Sequence, residues 1–230
     1  MVKNYEEFCT ELVKAGFSMA SGGNSDGIFS LIEHGWNDTP IDSPIQWHTG
    51  DKDTDPWEWR IRVLDERNDI AYAKLFFKKA GYITKEWYPY FLAARRKNKG
   101  FEEEYSDGSI SHYAKRIYDT VVKNEYLPLH EIKKAAGFGP EDKTKFDSAL
   151  TELQMKLYLT ICGRRQKAIR AGSEGWPSTV FCSVEKFFGD SVFEKAGLIS
   201  ANEAIDKITA QIYMLNPGAP KKKVEKFIKG

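Results

Sequence analysis

Apolar and polar residues along the chain alternate with two periods, one helical and one strand-like. Tyr5, Phe8, Cys9, Leu12 and Val13 fall on one stripe, which predicts an amphipathic helix ending near Gly16. The glycine- and serine-rich segment 18–25 follows as a loop, and 27–33 predicts a short helix stopped by Gly35. Trp57, Trp59, Ile61 and Val63 alternate with Glu58, Arg60 and Arg62, the period of a half-buried strand. With a turn at 65–68 and a return over 69–77, this predicts an antiparallel hairpin. Gly81 to Thr84 closes the hairpin, and Thr84 is expected to cap a helix running from Glu86 through Ala94.

From Ser109 onward the pattern is clearest. Ser109 or Ser111 can cap a helix whose inner stripe is Tyr113, Ala114, Ile117, Val121 and Val122. A second helix spans 129–136 and stops at Gly137, and a third runs over 143–156 with Phe146, Ala149, Leu150 and Leu153 inward. Strands at 158–162 and 179–182 complete the order of a winged helix. Three helices follow, at 183–194, 200–215 and 221–229, the second with a Ser200-to-Glu203 capping box. The fold class is α+β and mainly helical, tandem winged-helix-like with β-hairpins, cut near residue 108 into domains 1–108 and 109–230.

Composition narrows the classes of function. The chain has 230 residues, of which 41% are hydrophobic, enough for a real core. No apolar run approaches the length of a membrane span, so the expectation is a cytoplasmic monomer without membrane contact. Three scattered cysteines, Cys9, Cys162 and Cys182, fit buried thiols better than a disulfide framework. The net charge of +1 hides a split: residues 1–56 hold 3 Lys/Arg and 10 Asp/Glu, and residues 57–230 hold 31 and 23. A basic remainder behind an acidic front suits a polyanionic partner.

Candidate chemistry gathers in the loop 36–56, which is long for a connection without a purpose. Gln46, His48, Asp51 and Asp55 are its groups able to position a water or face a substrate; the alternative is a solvated turn with helix-capping aspartates. Asp51, Asp53 and Asp55 alternate as in a calcium loop but lack its glycine and closing glutamate, and no cofactor is expected. Trp57 and Trp59 are either core or the wall of a pocket, with Arg60 and Lys74 at its mouth. Arg95 and Arg96 beside Trp87, Tyr88, Tyr90 and Phe91, and Arg164, Arg165, Lys167 and Arg170 on the wing, are placed for backbone phosphates. The third helix of the winged unit is mixed in sign outward, which argues against a dedicated reader of bases.

Trp57-Glu58-Trp59-Arg60 with the following hairpin, Ile83 through Arg96, and the winged unit with Ala149-Leu150-Thr151-Glu152-Leu153-Gln154 resemble the winged-helix DNA glycosylases of the AlkZ type. The resemblance implies tandem winged-helix modules around duplex DNA and removal of alkylated bases. The family's catalytic signature is Gln-x-Gln or Gln-x-Asp. The nearest stretch here is Gln46-Trp47-His48, which departs at its third position. The resemblance thus implies a DNA-binding protein acting as a base-excision glycosylase. The alternative is a non-enzymatic winged-helix regulator or protein-interaction module.

Overall fold

A computed structural model describes residues 2–168 and 174–230, and side chains at all of these except 26, 167, 168 and 174–176. Contacts group the chain into two units, Met1–Asn98 with Asp190–Gly230, and Lys99–Gly189. The sequence reading places a single cut near 108; by contact, the segment 99–108 groups with the second unit and the chain from Asp190 returns to the first.

In the first unit, α1 (Tyr5–Ala15) starts where the Asn4 side chain accepts a hydrogen bond from the Glu7 N–H, and it buries Tyr5, Phe8, Cys9 and Leu12. Gly16 ends it at φ 87°, and a Cβ there would lie 2.2 Å from the Trp87 ring, so both backbone and space require glycine. β1 (Phe17–Met19) and the single turn α2 (Gly23–Asp26) follow. The helix expected at 27–33 does not form. That segment instead lies beside β1, with the Met19 N–H donating to the Phe29 carbonyl at 2.9 Å and Gly23 N–H to Ile32 at 3.0 Å. Ile28, Phe29 and Ile32 are buried in this arrangement, and three apolar residues in so short a run fit either structure.

The strand expected at 57–64 is a helix, α3 (Pro56–Glu66). Asp55 caps it through the Trp57 N–H and Pro56 occupies its first turn, two helix-start signals that outweigh a short run of alternation. The hairpin is formed one step later, by β2 (Ile70–Phe76) and β3 (Lys79–Thr84). Phe77 and Lys78 join them, both at positive φ (51° and 63°), as a two-residue hairpin turn demands. β1 pairs with β3 and β3 with β2, all antiparallel. α4 (Tyr88–Arg96) follows. Thr84 does not cap it: its carbonyl accepts from the Trp87 N–H in the turn before, and its hydroxyl is buried without a partner.

The second unit opens with α5 (Phe101–Ser106), α6 (His112–Asn124), the short β4 (Leu127–Pro128), α7 (Leu129–Ala135) and α8 (Lys143–Met155). A hairpin of β5 (Leu159–Ala168) and β6 (Glu174–Ser183) and the short α9 (Val184–Phe188) complete it. Ser111 caps α6, accepting from the Ala114 N–H at 3.2 Å while donating to the Glu152 carboxylate at 2.7 Å. Ile117, Val121, Phe146 and Leu153, buried as their helical spacing predicts, form its core together with Tyr158 just before β5. β4 pairs with β6 and β6 with β5, again antiparallel.

The helix expected at 183–194 is broken at Gly189, φ 74°, and α10 (Ser191–Gly197) begins the return to the first unit. α11 (Ala201–Leu215), with its capping box formed as expected, and α12 (Lys221–Lys229) follow, and all three pack on α4. The molecule is mixed α/β, about half helical with antiparallel strand pairing. No helix among the described residues is long and apolar enough to cross a membrane.

Candidate functional site

The acidic loop before α3 is built around one carboxylate. Asp55 is fully buried; one oxygen accepts from the His48 N–H (3.1 Å) and the Trp57 N–H (2.8 Å), the other from the Gly50 N–H (3.0 Å). It is a helix cap that also pins the loop, which accounts for the aspartate at this position. Gln46 is a second staple: its amide nitrogen donates to the carbonyls of Pro40, Ile41 and Ser43 at 2.8, 3.2 and 3.3 Å. Asp51 is exposed and accepts from the Asp53 N–H at 2.8 Å, a hydrogen bond that holds its carboxyl below the usual carboxylate range. The Asp53 carbonyl takes the Trp59 indole N–H at 3.1 Å and the Tyr5 N–H at 2.9 Å. Of the four loop residues singled out by sequence, three therefore organise the loop.

His48 is placed differently. Held at φ 61° by its N–H bond to Asp55, it is an uncommon left-handed non-glycine residue and lies at an open cavity. The cavity holds about 370 Å³ and is lined by Ala20, Ser21, Trp36, Trp47, His48, Pro56, Trp57, Arg60, Tyr72, Ala80 and Tyr82. The imidazole sits 4.8 Å from the Trp57 ring, tilted, and 5.9 Å from Trp36, edge-on. Trp36 and Trp57 are 66% and 42% exposed, so the rim offers two aromatic faces to solvent, while Tyr72 and Tyr82 are buried at the floor, their rings 4.9 Å apart.

Two of the lining residues carry a donor that is hidden from solvent. Trp47 Nε1 and Arg60 Nε are buried and find no hydrogen-bond partner. The Arg60 guanidinium lies 3.6 Å over the Trp57 ring, a stacked cation–π contact. Burial pushes the Tyr72 and Tyr82 hydroxyls up from the ordinary tyrosine range, against the opposing pull of Arg60, so both stay protonated. Among the described residues, no Asp or Glu lines the cavity.

The structure thus brings His48, Trp57 and Arg60 together and leaves the other expected pocket residues out. Trp59, two positions from Trp57, is fully buried and stacks on Phe8 at 5.2 Å in the core; on a helix, unlike a strand, neighbours two apart point to different sides. Lys74 is exposed on β2 outside the lining. Trp36, Trp47, Tyr72 and Tyr82 are cavity residues that sequence reasoning did not assign. Their signal was density: four of the chain's six tryptophans fall between 36 and 59.

The expected phosphate contacts divide as well. Arg95 is no surface cation: it donates to the carbonyls of Ile228 (2.8 Å), Phe227 (2.9 Å) and Leu75 (2.9 Å), and burial pushes its pKa down to about 10. Arg96 is 9% exposed and lies over the Phe193 ring at 5.4 Å. Arg164 and Arg165 are exposed on β5, opposite Thr179 and Ser178. The backbone of Lys167 pairs with Gly175, and its side chain, like the whole of Arg170, lies outside what is described.

A family model described as AlkZ related matches residues 2–229. Comparison with curated proteins and with solved structures gives no match.

Proposed function

Because this chain belongs to the AlkZ-related family, we propose that it is a DNA-binding, repair-related protein that takes one unstacked base into its aromatic cavity. The observation that carries the proposal is the cavity itself: exposed tryptophan faces at the rim, buried tyrosines in the lining and the Arg60 guanidinium stacked on Trp57. Proteins that act on a base within DNA take it out of the stack and hold it by stacking and edge hydrogen bonds. A volume of about 370 Å³ lies in the range of small-molecule sites.

The order of elements supports a DNA-binding architecture. α1, β1, α2, α3, β2 and β3 run helix, strand, helix, helix, strand, strand. So do α6, β4, α7, α8, β5 and β6, and in both sets the first strand pairs with the last and the last with the middle one. The repeated order supports a winged-helix reading of both sets. On this reading the exposed Arg164 and Arg165 contact phosphates from the second wing.

Cleavage of the base from its sugar, the reaction of the AlkZ-type glycosylases, needs a group that positions water. Gln46 and Asp55 are committed to the loop, so His48 at the rim is the residue on which cleavage rests. The test is binding of duplexes that differ only in one mismatched base pair. The wild type should prefer the mismatched duplex, and Trp57→Ala should lose that preference about tenfold while its melting curve is unchanged. His48→Ala should retain mismatch binding and abolish base release. Equal affinity for the two duplexes in the wild type refutes the proposal.

A further inference from the structure

We infer that α12 and the turn of the β2–β3 hairpin form a second contact surface for the DNA backbone, on the first unit, with Lys78, Lys222 and Lys229 among its phosphate-binding groups. The inference rests on the reading of the chain as DNA-binding, and it assigns a surface that neither the base cavity nor the second hairpin includes.

Charge points there first. α12 carries five lysines and one glutamate, and its first turn has no acidic residue, although the helix dipole favours one there. Lys221, Lys222 and Lys223 oppose that dipole and repel one another, an arrangement that does not stabilise the helix. Lys222, Lys226 and Lys229, four and three residues apart, are exposed along one stripe, while Val224, Phe227 and Ile228 are buried. Lys78, in the hairpin turn, is exposed as well. Among the described residues, Lys78, Lys222 and Lys229 have no carboxylate partner.

The second observation is rigidity. Phe227 stacks on Phe76 beside the turn, centroids 3.9 Å apart and planes 5° from parallel, and the Lys226 ammonium lies 5.9 Å over the Phe77 ring. Arg95 ties the same elements together by donating to the carbonyls of Phe227, Ile228 and Leu75. Helix and hairpin turn therefore present their lysines from one packed body, and binding has side chains to order but no backbone.

What is left exposed identifies the partner. A helix that lies on a lipid surface does so with its apolar face, and that face of α12 is already buried in the first unit. The remaining row of ammonium groups consists of point charges that suit a repeating line of phosphates. The same hairpin lines the base cavity through Tyr72, Ala80 and Tyr82. Lys78 is six residues from Tyr72, at most about 20 Å along a strand. That span is about six nucleotide steps of one DNA strand, so one duplex can reach cavity and lysines together.

The experiment uses the full chain and the duplex with one mismatched pair, with affinity measured from low to moderate salt. The variant combines Lys78→Asn, Lys222→Ala and Lys229→Ala; asparagine tolerates the positive φ of the turn. Its melting curve should match that of the wild type. The dependence of log affinity on log salt should flatten by about 2 to 3 units, with a loss of about tenfold or more in affinity at low salt. Preference for the mismatched over the matched duplex should not change, because backbone contacts carry no information about bases. A control, Lys3→Ala with Lys14→Ala on α1, should keep the wild-type slope.

An unchanged slope in the triple variant overturns the inference and leaves the base cavity standing. Equal flattening per charge in the control also overturns it, because the effect is then one of net charge. Wild-type binding to phosphatidylserine vesicles that the triple variant loses, with the DNA slope unchanged, gives the surface to a membrane instead. If the wild type binds no DNA at low salt, surface and cavity readings fall together.

Discussion

Asp55 shows how one side chain can carry a region. Its two oxygens hold three N–H groups that belong to the helix start and to the loop beside the cavity. Asp55→Ala leaves those donors in a buried setting, and the expected loss is about 3 kcal/mol, seen as a lower denaturant midpoint. Asp55→Asn keeps one acceptor and should recover part of that loss. Helix-capping aspartates were one of the two sequence readings of this loop, but with a strand expected at 57–64 the Asp55-Pro56 helix start was not used. The sequence did not separate Trp57 from Trp59. Both belong to the same short motif, and only the true period of that segment sends one to the rim and the other onto Phe8.

At the scale of elements, α3 was hidden by its own surroundings. Ile61 and Val63 are both buried along with Trp59, so the segment shows the alternation of a strand although its backbone is helical. α6 and α11 were legible from capping residues and one-sided stripes, and α8 from its stripe alone, because each packs on one face and is wet on the other. The role of Arg95 was not legible at all. It belongs to a cationic run at the end of α4, and its partners are the carbonyls at the end of α12, more than a hundred residues away in sequence. Arg95→Lys keeps the charge but cannot fork to three carbonyls. It should destabilise the first unit by about 2 to 3 kcal/mol, whereas Lys222→Ala on the exposed start of α12 should leave the melting temperature unchanged.

For the whole molecule, the repeated order of elements lies below the reach of sequence comparison within the chain. The two sets share pairing pattern and no sequence period, because the constraint on each is burial and not residue identity. The return of the chain from Asp190 to the first unit was likewise unreadable: an amphipathic helix announces that it packs, not against what. Charge was legible and is used at this scale. If Arg164 and Arg165 both contact phosphates, replacing them with alanine should flatten the dependence of log affinity on log salt by about 2 units. An unchanged slope would move the phosphate contacts to other residues.

In the proposed function, a base leaves the DNA stack for the cavity of Trp36, Trp47 and Trp57. The most direct measurement is photocrosslinking from a single 5-iodouracil, placed at a mismatch in duplex DNA, with the attachment site mapped by mass spectrometry. The predicted result is attachment within residues 36–57, at one of the three tryptophans, and its loss when Arg60→Glu or Trp57→Ala closes or strips the site. Attachment confined to the second unit, with none at these tryptophans, would contradict it.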